Sequence, residues 1–208
     1  MGAVTPVERK QWISETRRQW AALDEAIMDA VESTETPTLD RFLVRLSNAA
    51  DNSRLWLLTA GTVAVLGGDR GRRAAGQAVV AIGVASATSN IALKTLARRR
   101  RPDAPSPGAD TPSRHVRRPA SSSFPSGHSA SAFAFASTMG EALPPTSAPL
   151  HLAATLVGYT RVHTGVHYPS DVVVGALVGV LSGQTARRVT ARWASTARPS
   201  RSRGVTAD

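Results

Sequence analysis

Three short clusters carry residue types able to handle a phosphate. Lys94 is followed seven residues later by Arg101-Pro102, Pro125-Ser126-Gly127-His128 opens an apolar stretch, and Thr160-Arg161 precedes His167 and then Asp171. Ser126 and Gly127 stand at an expected helix N-terminus, where unpaired N–H groups and the helix dipole favour an anion. Lys94, Arg101 and Arg161 add positive charge, and the planar guanidinium matches phosphate oxygens in pairs. His167 and Asp171 are four residues apart, so the carboxylate can accept from one ring nitrogen and leave the other free to attack. His128, on a different stretch, is suited to protonating a departing alcohol. These roles together describe phosphoryl transfer through a phosphohistidine, with Arg and Lys rather than a metal ion offsetting the transition-state charge.

The elements that must position these groups follow from composition. The chain has 208 residues, a formal charge of +10 and no cysteine. That length suits one domain with a core. The absence of cysteine excludes disulfide frameworks, thiolate metal sites and cysteine nucleophiles. Lys10 and Lys94 are the lysines; the other cations are arginine, a surplus that implies an acidic partner such as nucleic acid, anionic lipid or a phosphate ester. The mean hydropathy of −0.13 conceals a segregated pattern. Polar residues concentrate in the first fifty positions, in 97–123 and beyond Arg187. Between them lie uncharged runs at 55–68, 74–93, from Gly127 to 140, 149–160 and 172–186. The run at 74–93 is long enough for one helical crossing of a bilayer, and flanking arginines can lengthen the shorter ones by snorkelling. Gly175, Gly179 and Gly183 recur every four residues, a small face suited to close helix packing inside the bundle. The expected fold is all-α, a bundle of about five membrane-spanning helices.

The N-terminal segment reads differently. Trp20, Leu23, Ile27 and Val31 form one amphipathic stripe, and Leu39, Phe42, Leu43 and Leu46 form another after Thr36-Pro37, read as a cap with proline at the first helical position. Both helices are too charged to span, and lie at the membrane interface or on the bundle. Arg9, Lys10, Arg17 and Arg18 interrupt any apolar leader, so no cleavable signal is expected. The proline- and arginine-rich stretch 103–123 reads as a loop. The organisation is therefore amphipathic helices over 1–50, a membrane domain over 51–190 and a basic, polar, disordered tail over 191–208.

The three clusters resemble the signature of the type 2 phosphatidic acid phosphatase family, which shares its site with vanadium-dependent haloperoxidases. The pattern K-x6-R-P, P-S-G-H, S-R-x5-H-x3-D is met at every position but one, where Thr160 replaces serine. The resemblance implies phosphate ligands Lys94, Arg101, Ser126, Gly127 and Arg161, an acid in His128, a nucleophile in His167 and an orienting carboxylate in Asp171. It implies a membrane lipid phosphate phosphatase with no cofactor or metal. Candidate substrates are phosphatidic acid, phosphatidylglycerol phosphate, a polyprenyl diphosphate or a polyprenyl-linked sugar phosphate. The rival readings are a vanadate-dependent oxidoreductase, disfavoured by the compact chain, and a non-catalytic membrane protein, disfavoured by the intact His128, His167 and Asp171.

Outside the signature, His151 and His163 are read as structural. Arg98, Arg99 and Arg100 are expected to face lipid phosphates or substrate headgroups; nucleic acid is not the expected partner, because aromatic residues are not interleaved with the basic run. With five crossings all three clusters share one face with the N-terminal helices. More Lys and Arg lie on that face than on the other, which predicts a cytoplasmic site, whereas the resemblance implies the outer face for many bacterial members.

Overall fold

Small side chains where the helices meet, a few large ones in the core and many large apolar ones left outside set the architecture. The computed structural model describes residues 5–93, 97, 99–103, 114, 116, 118 and 120–196, and the described residues form helices and turns with no strand. Helix α1 (Pro6–Glu32) opens with a capping box in which Thr5 Oγ1 accepts from Glu8 N and the Glu8 carboxylate accepts from Thr5 N. Helix α2 (Pro37–Ala49) starts at the expected proline, but Thr36 does not cap it: its hydroxyl donates to Asp40 Oδ1 at 3.0 Å. A 3-10 turn (Asp51–Ser53) leads into α3 (Arg54–Leu66). Helix α4 (Gly68–Ala87) continues as a π-helical stretch, Thr88–Leu93. Then come α5 (Gly127–Ala142), α6 (Ser147–His163) and α7 (Pro169–Thr196).

Helix α5 is central and packs against α4, α6 and α7, while α3 lies on α4, and α2 on α6. Its neighbours approach closely because the interface is made of small residues. Ala74, Ala78, Ala81 and Ala85 of α4 are buried, as are Ala130, Ala132, Ala134 and Ala136 of α5. On α7, a Cβ on Gly175 would sit 2.4 Å from Ser126 O and one on Gly179 2.4 Å from Ala130 O, and Gly183 packs against Thr138. The small face thus serves packing within the chain, as read from its spacing. Large apolar side chains point outward instead: Leu57, Leu58, Val65 and Leu66 on α3, Leu152 and Leu156 on α6, and Val173, Leu177 and Leu181 on α7 are exposed. Among the described residues one helical stretch, Gly68–Ile91, is long and apolar enough by itself to cross a membrane.

The N-terminal stripe is not buried. Trp20 and Leu23 are more than half or about half exposed (57% and 50%), and the buried residue of α1 is Asp24, at 3%. Helix α1 thus meets the bundle on a face centred on the Asp24 carboxylate, with Ala21, Met28 and Val31 half-buried beside it. On α2 the second stripe splits, with Leu43 buried and Leu39 and Phe42 exposed.

Candidate active site

The α6–α7 connection folds back on the end of α6. Gly165 turns at φ +64, a left-handed conformation suited to glycine after a helix end. The amides of Val166 and His167 then both donate to Arg161 O, at 3.1 and 3.0 Å. Pro169 starts α7, and Asp171 in its first turn accepts from Tyr168 N through Oδ2 at 3.0 Å. This brings His167 Nδ1 to 3.6 Å from the same Oδ2, slightly beyond hydrogen-bond length. The other ring nitrogen, Nε2, lies 3.2 Å from Arg101 Nη1, which also donates to Val166 O at 2.8 Å. His167 is 2% exposed. Burial, reinforced by the charges of Arg101 and Arg161 and opposed by Asp171, pushes its imidazole down to about 4. The ring is thus neutral at pH 7.

His128 sits one residue into α5. Its Nε2 is 2.8 Å from Asp51 Oδ1, and this contact holds the Asp51 carboxyl below its usual range against the opposing effect of burial. The turn that presents Asp51 is held by positive φ at Asn52 and Ser53. His128, His167, Arg101 and Gly127 line one cavity of about 490 Å³. A second cavity, of about 640 Å³, lies at the other end of the bundle between Gln77, Glu141, Gln184 and Arg187, away from both histidines.

The remaining expected site residues stand behind this cavity. Ser126 is fully buried and N-caps α5; its hydroxyl oxygen accepts from Ser129 Oγ at 3.0 Å, and its amide donates to Asp171 O at 3.0 Å, joining the α5 and α7 N-termini. Arg161 is buried in the last turn of α6 and donates to Ser47 Oγ of α2, while its Nε has no hydrogen-bond partner among the described residues. Thr160 turns its hydroxyl into its own helix, donating to Val157 O at 2.7 Å. Lys94 and Arg98 lie outside the described residues. Arg101, expected two helical turns beyond Lys94, comes instead from the irregular segment 99–103.

Arg99 corrects the sequence reading outright. It does not face headgroups: Nη1 donates to Asp171 Oδ1 at 2.9 Å and to Ser170 Oγ at 2.7 Å, and Nη2 donates to Asp24 Oδ2 at 2.7 Å. Its guanidinium carbon lies 4.0 Å from the Tyr168 ring centroid. Asp51 and Asp24 were also unmarked in the sequence, because each meets its partner from a distant segment. His163 and His151, read as structural, do not line the cavity: His163 Nε2 is 2.7 Å from buried Asp40 Oδ1, and His151 Nδ1 donates to Ser147 O at 2.8 Å. Two arginines of the basic loop act as staples. Arg114 binds Asp40 and the carbonyls of Val31 and Thr34. Arg118 donates to Pro102 O and Gly165 O, joining the Arg101 segment to the His167 turn.

Known proteins resemble the chain in sequence and in fold. The chain is 36% identical over 169 residues to a decaprenylphosphoryl-5-phosphoribose phosphatase of Mycobacterium tuberculosis, covering 76% of this chain and 85% of the relative. It is 39% identical over 69 residues to a lipid A 1-phosphatase of Porphyromonas gingivalis, covering 31% of this chain and 16% of that one. The crystal structure of Aquifex aeolicus LpxE superposes with a TM-score of 0.63 at 29% identity, over 80% of this chain and 95% of LpxE. That of a transmembrane PAP2 type phosphatidylglycerolphosphate phosphatase from Bacillus subtilis, 23% identical, shares the fold with a TM-score of 0.62, over 83% and 86% of the two chains. Residues 74–195 match the PAP2 superfamily. This span takes in all three clusters and the helices α5, α6 and most of α7, and so the chain belongs to the PAP2 superfamily and is a phosphoric ester hydrolase.

Proposed function

We propose that the protein is a multi-pass membrane phosphatase that hydrolyses a lipid phosphomonoester or a polyprenyl (di)phosphate through a phosphohistidine on His167. The carrying observation is the line Asp171–His167–Arg101, with separations of 3.6 and 3.2 Å, on the wall of a cavity that His128 also lines. Asp171 orients the ring through Nδ1, so the Nε2 lone pair faces the guanidinium that would hold a phosphate oxygen. Arg101, Arg161, Lys94 and the α5 N-terminus at Ser126 and Gly127 grip the phosphate and offset the charge on its equatorial oxygens. Nε2 attacks phosphorus, the bond to the lipid oxygen breaks, and His128 gives its proton to that oxygen. His128 then takes a proton from water, whose oxygen attacks the phosphohistidine. Inorganic phosphate leaves, and His167 is restored.

The reading of α3, α4, α5, α6 and α7 as five crossings is supported by the apolar exterior and the small residues where the helices meet. The lipid character of the substrate is supported by the relatives, which act on decaprenylphosphoryl-phosphoribose and lipid A, and by a cavity that opens at one end of the helices. The test is a panel of lipid phosphates assayed on detergent-purified protein with a chelator present. Phosphate release is expected to persist with chelator, to be inhibited by vanadate, and to disappear in His167→Ala while that variant still elutes as the folded wild type. Near-normal turnover in His167→Ala rejects the phosphohistidine.

A further inference from the structure

The helix least expected to touch the site reaches it through one buried carboxylate. Asp24 is the one fully buried residue of α1, most of which is exposed. Its Oδ1 accepts from Ser170 N at 2.9 Å, and its Oδ2 accepts from Ser170 Oγ and from Arg99 Nη2. Arg99 is thereby clamped between two carboxylates, with Asp171 on its other side at 2.9 Å. Neither Asp24 nor Arg99 belongs to the three signature clusters, and neither lines the cavity.

We propose that Arg99 and Asp24 are positioning residues for the reaction, extending the His167–Asp171 pair into a chain of alternating charge that ends on helix α1. Arg99 fixes the Asp171 carboxylate with Oδ2 toward His167. Asp24 offsets the Arg99 charge, so that Asp171 keeps enough negative potential to stabilise the positive imidazole formed on phosphorylation. Burial favours a neutral Arg99, yet the two carboxylates outweigh it and hold the guanidinium more firmly charged than usual. The N-terminal helix is then part of the catalytic apparatus rather than an appendage.

This inference rests on His167 being the nucleophile, and it predicts opposite electrostatic effects for its two residues. The charged groups that face His167 are Asp171 of α7, Arg101 of the 99–103 segment and Arg161 of α6, with Arg99 behind Asp171. Asp24 of α1 lies beyond Arg99, Arg118 touches the same turn at Gly165, and His128 with Asp51 lies across the cavity. Removing the positive charge of Arg99 favours protonated His167 and moves the acid limb of kcat/KM to higher pH. Removing the negative charge of Asp24 disfavours protonation and moves it lower.

The experiment measures kcat, KM and the pH profile of phosphate release from phosphatidic acid, or from whichever panel lipid the wild type turns over fastest, for full-length Arg99→Gln, Arg99→Lys, Asp24→Asn and His167→Ala in detergent. Substrate ionisation is common to all arms. Arg99→Gln and Asp24→Asn are expected to lose about 10- to 100-fold in kcat, with KM changed less than about threefold. Their acid limbs are expected to shift by about half a pH unit or more in opposite directions, and Arg99→Lys to recover part of the rate. Unshifted limbs, or kcat within about twofold of wild type in both variants, overturn the proposal, as do rate losses explained by the fraction of folded protein alone. Should Arg99→Gln not fold, the isosteric Asp24→Asn decides. An active His167→Ala rejects the underlying mechanism instead, whereas an inactive His167→Ala beside wild-type-like Arg99 and Asp24 variants rejects only this extension.

Discussion

At the scale of single residues, the contact between His128 and Asp51 sets the most specific expectation. A carboxylate 2.8 Å from Nε2 fixes the ring that is proposed to deliver the proton. Asp51→Asn should therefore slow the cleavage of alkyl phosphates, whose alkoxide must be protonated as it leaves, by about 10- to 100-fold. An aryl phosphate such as p-nitrophenyl phosphate has a leaving group that departs unprotonated, so its first step should be affected far less. Measuring nitrophenol and phosphate release side by side separates the two cases, and equal losses on both substrates would remove His128 from the acid role. The sequence marked His128 because its neighbours Pro125 to Gly127 form a recognisable local pattern, and it marked His167 and Asp171 because they lie one helical turn apart. It could not mark Asp51, which is 77 residues from His128, nor Asp24, which is 146 residues from Ser170. A lone aspartate on an exposed amphipathic helix carries no periodic signal of burial. Arg99 was misread for the same reason: in a run of four arginines, nothing local distinguishes the one that turns inward.

At the scale of elements, the glycine ridge of α7 joins packing to the site. Gly175 touches the carbonyl of Ser126, the cap of α5, whereas Gly179 touches Ala130 O one turn further from the cavity. An added methyl at either position must push the two helices apart, since carbonyl oxygens at 2.4 Å cannot accommodate it. Gly179→Ala is expected to cost about 1–3 kcal/mol, read as a lower midpoint of thermal unfolding in detergent. Gly175→Ala should cost a similar amount and also lower kcat, because Ser126 binds both α5 and Asp171 through its cap and its amide. Gly83→Ala on α4, where a Cβ meets nothing within 4 Å, serves as the control and should be neutral or slightly stabilising. Equal midpoints for Gly83→Ala and Gly179→Ala would show that the ridge tolerates separation. The uncharged runs foretold the positions of these helices because charge is excluded from their apolar outer and core-facing surfaces. Their ends were less legible. Helix α4 starts at Gly68, taking in Asp69, Arg70, Arg72 and Arg73, and α6 continues to His163, since a helix end facing water tolerates charge.

At the scale of the whole molecule, the exterior of the bundle is more apolar than a soluble protein needs, and its interior combines many alanines that bring backbones close with a few large side chains, Trp56, Phe135 and Met139 among them. A soluble helical bundle buries its leucines; here Leu57, Leu58, Leu152, Leu177 and Leu181 remain outside. That inversion is expected where lipid is the solvent, because burying Leu against protein gains little over burying it against acyl chains. The proposed five crossings would place the α1–α2 turn and Asp103 on the same face as the active site, and the α3–α4 turn, the α5–α6 turn and the end of α7 on the opposite face. The cysteine-free chain permits a direct test. Single cysteines at Ser33, Asp103, Asp69, Pro145 and Ala191, all at exposed positions, can be labelled with an impermeant maleimide in sealed vesicles of known sidedness. Ser33→Cys and Asp103→Cys should react together from one side, and the other three only from the other or after permeabilisation. The side on which the first pair reacts decides between the cytoplasmic site that the Lys and Arg distribution favours and an outer-face site. Labelling of Asp69→Cys together with Ser33→Cys would mean that α3 does not cross, and the five-span arrangement would fall.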